Sequence, residues 1–397
     1  MRTPVYMDYH ATTPVDPRVV DAMLPFLTEK FGNPASRQHA FGWIAEEAVN
    51  SARSSVAKVL HAEPKEIIFT SGATESNNLA IKGVAEAYAQ KGKHIITCST
   101  EHKSVLDVCK NLAKRGFEVT LLSTDEFGVI DLDQFSKAIK ETTILVSVMV
   151  ANNEVGTIQN VTEIGRICKD RGVLFHTDAT QAIGKIPVDV QAMNIDLLSL
   201  SGHKFYAPKG IGALYIRSKN PHVRLVQQID GGGHERGLRS GTLNVPSIVG
   251  IAKALELCID SMEEETAGIR ALRDRLQETL FKELEDVYLN GHPAKRLFNN
   301  LNMSFLYVED NALMMGMKNI AVSSGSACSS AEPMPSHVLK ALHIGKERET
   351  SAIRFGLGRW TTREEVDYTA GCVIETARRL RALSPVKRSA KTEVGVN

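Results

Sequence analysis

The sequence predicts an α/β protein built on a mainly parallel β-sheet. Seven short apolar runs rich in β-branched residues recur between positions 66 and 216, and none has the strict polar alternation of a half-buried strand. Stretches with helical periodicity separate most of these runs, as expected where helices join parallel strands. The runs that we predict as strands are Glu66–Thr70, His94–Cys98, Val119–Leu122, Thr143–Val150, Val173–His176, Asp196–Leu200 and Gly212–Ile216.

The helical stretches between the strands complete this α/β pattern, and a different pattern of segments follows from about residue 261. The helices predicted between the strands are Asn77–Gln90, Lys103–Arg115, Gln134–Glu141 and Thr162–Arg171. A longer amphipathic helix is predicted over Met262–Glu285, after which the segments are shorter and mixed. We therefore expect a large domain followed by a second, smaller and mixed domain over roughly residues 262–397.

Composition and charge exclude several classes of protein. The 397 residues include 47 Lys and Arg against 46 Asp and Glu, so the net charge is +1 and no basic field favours direct nucleic-acid binding. We find no run of about 18 apolar residues and no apolar core of a signal peptide near the N-terminus. We expect no membrane segment and a cytoplasmic location.

Six cysteines occur without a CxxC pair or a Cys-His spacing typical of metal sites, so we expect no metal centre. Five of them lie in apolar or helical contexts, where inert packing is the expected role. Cys328 instead lies in a small, polar stretch, within a loop that we predict over residues 321–336. An exposed thiol in such a loop indicates a nucleophile that can move between two positions.

Lys204 and Asp178 each follow a predicted buried strand. Since the carboxyl ends of parallel strands meet at one edge of a sheet, both side chains could face the same ligand. Pyridoxal phosphate (PLP) needs this pair, a lysine to bind its aldehyde and a carboxylate to keep its pyridine nitrogen protonated. A surface lysine and a helix-capping aspartate are the plainer alternatives for each residue alone.

Other polar residues follow strands at the same predicted edge. Ala73 and Thr74 lie where a strand turns into a helix, which suits a phosphate group, although an ordinary helix cap is equally consistent. His102 follows another strand and could stack on a flat cofactor, while Asn153 could bind one of its substituents. Arg354, flanked by apolar residues, suits a substrate carboxylate or a structural salt bridge.

Several blocks of sequence, taken together, resemble one family. They are MDYHATTPVDPRV, FGNPASRQHAFG, FTSGATESNN, STEHKSV, ANNEVGTIQ, HTDATQAIGK, SLSGHKFYAPKGIGAL, GGGHERGLRSGT, SSGSACSS and IRFGLGRWTT, in this order between residues 7 and 362. This set is similar to the cysteine desulfurases of the NifS/IscS type, in the class V aminotransferase family of PLP enzymes with fold type I. The resemblance implies a large domain of residues 16–261 with a mainly parallel seven-stranded sheet, and a smaller α+β domain formed by residues 1–15 and 262–397.

The resemblance also implies a role for each matching residue. Lys204 would form the Schiff base with PLP and transfer protons, Asp178 would pair with the pyridinium, and His102 would stack on the ring as an acid and base. Cys328 would accept sulfur from the substrate. The other implied contacts are Asn153 and Gln181 on or near the ring oxygen, Ala73, Thr74, Ser201 and His203 around the phosphate, Thr242 from a second subunit, and Arg354 with Asn153 on the substrate.

By the same resemblance, the protein would be a homodimer that converts L-cysteine to L-alanine and a persulfide on Cys328. Acceptor proteins, such as an iron-sulfur scaffold, would then take the sulfur for cluster assembly and, in some members, tRNA thiolation. Two alternatives stay open: another PLP enzyme of this fold, such as an aminotransferase or a selenocysteine lyase, and an inactive partner that keeps only the fold. The thiol of Cys328 argues against an aminotransferase, which does not need one.

Overall fold

The computed structural model describes residues 3–324 and 336–383. The strands are β1 (Val5–Tyr6), β2 (Ile67–Thr70), β3 (His94–Cys98), β4 (Glu118–Leu122), β5 (Thr143–Ser147), β6 (Leu174–Asp178), β7 (Leu197–Ser201), β8 (Gly212–Ile216), β9 (Val287–Leu289), β10 (Asn300–Phe305), β11 (Ile320–Ala321), β12 (Ser323–Ser324) and β13 (Ala352–Gly356). The helices are α1 (Pro17–Met23), α2 (Pro25–Thr28), α3 (Ala40–Val59), α4 (Ala73–Ala87), α5 (Lys103–Lys114), α6 (Leu132–Ala138), α7 (Val161–Asp170), α8 (Val245–Asp260), α9 (Met262–Glu283), α10 (Asp310–Gly316), α11 (His337–Ala341), α12 (Lys346–Glu349) and α13 (Arg363–Leu383).

The seven predicted runs form one sheet, which confirms the predicted fold class. Its strand order is β2-β8-β7-β6-β5-β3-β4, and β8 alone runs antiparallel to its neighbours, β2 and β7. The residues of β2, β3 and β5 to β8 are all buried. Helices cover both faces of the sheet, which is why these strands lack polar alternation in the sequence.

Two apolar cores lie on the two faces of the sheet. On one face, α4 and α5 pack with alternate strand residues such as Ile95 and Leu145. On the other face, α3 and α8 pack with residues such as Val146 and Phe175. Successive side chains of one strand therefore enter different cores, as the pleat of a strand requires.

A third core lies around a four-stranded antiparallel sheet of order β12-β13-β10-β9. It takes Leu276 and Leu280 from α9, Val373 from α13, and also Val5 and Met7 from the start of the chain. Strand β1 pairs in parallel with β11, which brings the first residues beside this sheet. The domain boundaries at 15/16 and 261/262 stay a prediction, which this packing supports.

Local differences from the sequence-based expectations have clear causes. Helix α6 begins at Leu132, before the predicted position, because the Asp131 carboxylate accepts from the backbone N–H groups of Asp133 and Gln134. The predicted loop 321–336 begins later than expected, because backbone pairing places Ala321 in β11 and Ser323 and Ser324 in β12. The centre of that loop, with Cys328, lies outside the described residues. No helix in the described ranges has the length and apolarity that crossing a bilayer requires.

A buried ion pair fixes the Gly-rich segment 231–242 to the large sheet. Arg53 on α3 donates to both carboxylate oxygens of Glu235 at 2.9 and 2.6 Å, and the two side chains are 10% and 1% exposed. Glu235 also accepts from the backbone N–H of Phe69, and Arg53 donates to the carbonyl of Ile67. The ion pair thus joins the segment to α3, and the other two bonds join both of them to strand β2.

We predict that Glu235→Ala lowers the free energy of unfolding by about 3–5 kcal/mol, because it leaves the Arg53 guanidinium buried without its partner. Urea denaturation measures the change. Glu118→Ala is the matched control, since the Glu118–Lys140 pair is about half exposed and its loss should leave the free energy of unfolding nearly unchanged. Equal effects of the two substitutions would contradict the role of the buried pair.

Candidate active site

The predicted cofactor residues gather at one edge of the large sheet. His102 follows β3, Asp178 ends β6, Ser201 ends β7, and Lys204 lies in a short 3₁₀ turn, Gly202–Lys204, directly after β7. In the register of β6 and β7, Asp178 is paired with Ser199. Ligands of open α/β sheets bind at this edge, outside the carboxyl ends of the strands.

The Asp178 carboxylate is held by hydrogen bonds from two directions. Its Oδ2 accepts from Asn77 Nδ2 at 2.8 Å, and its Oδ1 accepts from the backbone N–H of Thr180 at 2.9 Å. Asn77, on α4, also donates to Ser104 Oγ, which lies 2.8 Å from Nδ1 of His102. One polar chain thus joins the carboxylate to the imidazole and fixes the orientation of both.

His102 is the N-cap of α5, and its Nδ1 accepts from the backbone N–H of Ser104. Burial lowers the pKa of His102, the charge of Lys204 lowers it further, and Asp178 acts in the opposite direction. The residue nevertheless remains exposed on one side. A neutral imidazole with an open face suits stacking on a flat ring and accepting a proton.

The amine of Lys204 lies against the start of the chain. Its Nζ donates to the carbonyl oxygens of His10 and Ala11 at 2.7 and 2.8 Å. The next residues are held nearby, since Thr12 Oγ1 lies 3.2 Å from His203 Nδ1 and the Thr13 hydroxyl donates to the His203 carbonyl. Burial, together with the charge of Lys204, lowers the pKa of His203 to about 4, so this ring is neutral.

The start of α4 fits a phosphate group. Its N-cap, Gly72, has φ of 150°, and a Cβ there would lie 3.5 Å from Ser201 Oγ, so the absent side chain leaves a hollow beside this hydroxyl. Ala73 and Thr74 form the first turn of α4, whose backbone N–H groups and dipole favour an anion. Thr74 is exposed. Thr242 is also exposed, in the loop before α8.

Gln181 is buried and fully engaged with its neighbours. Its Nε2 donates to the His10 carbonyl at 3.0 Å, and its Oε1 lies 3.1 Å from both His10 Nδ1 and Lys185 Nζ. Lys185 is a second buried amine in this region. Burial lowers its pKa to about 7, and the charge of Lys204 contributes.

Arg354 on β13 forms the structural salt bridge that the sequence left open. Its Nη2 donates to Asp8 Oδ1 at 2.7 Å, and its Nη1 donates to the backbone carbonyl of Asn153 at 2.9 Å. Its Nε is buried and has no hydrogen-bond partner. The predicted substrate residues Arg354 and Asn153 are therefore in contact, and the Nε–H group of the guanidinium remains for a further acceptor.

Cys328 lies outside the described residues, but both ends of its segment are fixed beside the site. Before it, Ser323 Oγ donates to Asp8 Oδ2 at 2.8 Å. After it, Ser336 Oγ donates to Glu154 Oε2 at 2.5 Å, and His337 Nε2 lies 2.8 Å from the carbonyl oxygen of Glu101, the residue before His102. Segment 325–335 thus begins and ends next to predicted site residues.

The cysteines of the described ranges do not compete for the role of nucleophile. Cys98, Cys109, Cys168 and Cys258 are buried, and Cys372 is half-buried on α13. Burial raises the pKa of Cys98 and Cys258 to about 11 and that of Cys109 to about 12, so these thiols stay protonated at neutral pH. The pKa of Cys168 is raised in the same way.

Sequence reasoning missed four residues that connect the site: Asp8, His10, Asn77 and Lys185. Each stands in a block of sequence that already carried the family resemblance. Asp8, His10 and Asn77 contact residues far away along the chain, so no local pattern marks them. Lys185 instead donates to Gln181, four residues before it. The one signal in the sequence that could have identified them is that they are polar residues within the same blocks as the predicted site residues.

Comparisons with known proteins show the family to which this chain belongs. The family model for aminotransferase class V matches residues 5–369. The cysteine desulfurase IscS of Anaeromyxobacter sp. (strain K) is 56% identical over 397 residues, and that of Klebsiella pneumoniae (strain 342) is 54% identical over 399. Both alignments cover 100% of this chain and 98% of the relative.

Solved structures give the same result. A NifS-like protein superposes with a TM-score of 0.87 at 41% identity, over 94% of this chain and 99% of the other. A structure described as SspA in complex with cysteine has a TM-score of 0.79 at 37% identity, over 90% and 100% of the two chains. This chain therefore belongs to the aminotransferase class V family and, within it, to the cysteine desulfurases of the IscS and NifS type.

Proposed function

We propose that the protein is a PLP-dependent cysteine desulfurase, which removes sulfur from L-cysteine, releases L-alanine and carries the sulfur as a persulfide on Cys328. The observation that carries this proposal is that the predicted lysine, the predicted aspartate and the residues on either side of the Cys328 segment lie at one sheet edge. Lys204 and Asp178 lie there, and Ser323 and Ser336, on either side of the Cys328 segment, are hydrogen-bonded beside them. The full-length similarity to cysteine desulfurases supports the same activity.

The residues at this edge fit PLP. Lys204 would bind the aldehyde carbon, Asp178 would keep the pyridine nitrogen protonated, and His102 would cover one face of the ring. The first turn of α4, with Ser201 and His203, would hold the phosphate. PLP, when bound, supplies an electron sink for the charge that develops as a substrate loses its α-proton.

The protein groups then have distinct tasks. The Lys204 amine moves the α-proton, and the carbonyl oxygens of His10 and Ala11 orient it when it carries charge. Arg354 binds the substrate carboxylate through N–H groups that Asp8 and Asn153 leave open, while its bond to Asp8 keeps the guanidinium in place. His102 manages the proton of the Cys328 thiol.

Sulfur transfer follows from the chemistry of the thiol. The Cys328 thiolate attacks the substrate sulfur and forms an S–S bond, while the carbon–sulfur bond breaks and its electrons stay with the carbon fragment that becomes alanine. Cys328 lies four residues after Ser324, so the chain spans at most about 14 Å between them. The residue before Ser324, Ser323, is hydrogen-bonded to Asp8, which is close in sequence to His10. A chain of this length from Ser324 suits an attack by Cys328 at the sheet edge.

We propose that the active form is a homodimer in which Thr242 completes the phosphate site of the second subunit. Several large apolar side chains of the segment from α1 to α3 are more than 40% exposed, an unusual amount for a monomer surface: Leu24, Leu27, Phe31, Phe41, Trp43 and Ile44. Thr242 is exposed as well, as a residue that reaches a neighbouring subunit would be.

We further propose that the persulfide passes to an acceptor protein, such as an iron-sulfur scaffold, in the cytoplasm. The curated relatives are named IscS, and the similarity extends over the whole chain. Transfer toward tRNA thiolation belongs to the same proposal, since a protein-bound persulfide can serve more than one acceptor.

We predict that Lys204, and not Lys185, binds the cofactor covalently. Borohydride reduction should leave PLP attached to a peptide that contains Lys204, and Lys204→Ala should abolish the label. Lys185→Met is the control, because its amine is also buried with a lowered pKa yet donates to Gln181. Labelling that follows Lys185 would overturn the assignment.

We predict that Cys328→Ala reduces sulfide formation from L-cysteine to below about 1% of the wild-type rate, since the acceptor of the sulfur is removed. The visible absorbance of bound PLP should be unchanged. Cys372→Ala, which removes a half-buried thiol on α13, should retain full activity. Normal turnover by Cys328→Ala would refute the proposed function of this thiol.

A further inference from the structure

His10 occupies the centre of the site, although no role was assigned to it from the sequence. The residue is 1% exposed. Its carbonyl oxygen accepts from Lys204 Nζ at 2.7 Å and from Gln181 Nε2 at 3.0 Å, and its ring Nδ1 lies 3.1 Å from Gln181 Oε1. The backbone and the ring of one residue thus contact both the predicted Schiff-base lysine and a predicted cofactor ligand.

The neighbours of His10 define which ring nitrogen carries the proton. Lys185 Nζ can only donate, and the His10 carbonyl can only accept, so the Gln181 amide has its oxygen toward Lys185 and its nitrogen toward the carbonyl. The same amide oxygen faces His10 Nδ1, which must therefore donate a hydrogen bond. In the neutral ring, Nε2 is then an acceptor with a free lone pair.

The ring is neutral because it is buried and because the charged groups around it are cationic. Burial lowers the pKa of His10 well below its usual value, and the charges of Lys185, Arg354 and Lys204 lower it further. The hydrogen bond with Gln181 acts in the opposite direction without restoring the charge. A positive imidazole would add a fourth cation to this part of the site.

Nε2 of His10 is buried and has no hydrogen-bond partner. An unsatisfied buried acceptor is unfavourable, and a donor brought by a ligand would recover the lost hydrogen bond. The ring edge faces β13, since a Cβ on Gly356 would lie 2.9 Å from His10 Cδ2, the atom bonded to Nε2. Gly356 lies two residues after Arg354 and so faces the same side of the strand.

His10 therefore lies between Lys204, which its carbonyl contacts, and Arg354, on the side to which its ring points. If the proposed function holds, the carboxylate of L-cysteine meets Arg354 and its amino group lies near Lys204. The thiol is then the one donor of the substrate still without an acceptor. We propose that His10 is a specificity-determining residue whose Nε2 accepts a hydrogen bond from the thiol of L-cysteine.

Two substitutions separate the two ring nitrogens. In His10→Asn the side-chain amide can take the place of Nδ1 and keep the bond to Gln181, but nothing replaces Nε2. His10→Ala removes both. We expect His10→Asn to keep the PLP absorbance of the wild type and to lower kcat/KM for L-cysteine about 10- to 100-fold. His10→Ala should in addition alter the absorbance, because Gln181 Oε1 loses its hydrogen bond to the ring.

L-Selenocysteine provides the matched substrate control. Its selenol is ionised at neutral pH and has no proton to donate, so His10→Asn should change its kcat/KM less than about 3-fold. Where its turnover is slow, its inhibition constant against L-cysteine gives the same comparison. Equal losses for both substrates, or no loss for L-cysteine, would overturn the role of Nε2.

A measurement without turnover tests the ring itself. Nitrogen NMR of the protein with labelled histidine should show, around neutral pH, a His10 signal pair with the proton on Nδ1 and a bare Nε2, absent from His10→Asn. A proton on Nε2, or a charged ring, would overturn the inference while leaving the proposed function intact. A wild-type protein that releases no sulfide from L-cysteine would instead refute the proposed function, and this inference with it.

Discussion

The contacts of the segment Asp8–Thr13 hold the site together. This short piece of chain runs between the large sheet and the four-stranded sheet, and it hydrogen-bonds to Lys204, Gln181, His203 and Arg354. Through Asp8 it also binds Ser323, at the start of the segment that carries Cys328. Residues that are hundreds of positions apart in sequence thereby lie within hydrogen-bond distance of the segment Asp8–Thr13. The proposed chemistry depends on that arrangement.

Charge in the site is distributed in a consistent way. Lys204 and Arg354 are cationic, and burial keeps His10 and His203 neutral beside them. Burial lowers the pKa of Lys185 to about 7, so this amine is charged only in part at neutral pH. The carboxylate of Asp8 offsets the charge of Arg354 through a salt bridge that is mostly buried. The excess of positive charge favours anionic ligands, which agrees with both a phosphate group and a substrate carboxylate.

The large fold could be predicted because its strands are buried on both faces. Such strands read as continuous apolar runs, and all seven appear in the sheet at the expected places. Lys204, Asp178 and His102 could be placed at one edge for the same reason, since strand direction alone brings them together. Helix ends were less certain, because a single capping side chain such as Asp131 moves the start of α6.

What the sequence could not reveal are contacts across long separations. The pairing of Asp8 with Arg354 joins positions 346 residues apart, and nothing local to either residue indicates it. The bond between His10 and Gln181 depends likewise on how the segment after β1 lies against the large sheet. The role of Arg354 also needed the structure, since an arginine on a buried strand fits a salt bridge and a ligand equally well.

The central claim is that an amine and a thiol far apart in sequence act on the same substrate at this sheet edge. The most direct test is a single turnover with L-cysteine that carries radioactive sulfur, followed by mapping of the labelled peptide under non-reducing conditions. The account predicts one equivalent of labelled sulfur on the peptide of Cys328 and one equivalent of L-alanine. Label on another cysteine, or L-alanine formed while Cys328 stays unlabelled, would contradict it.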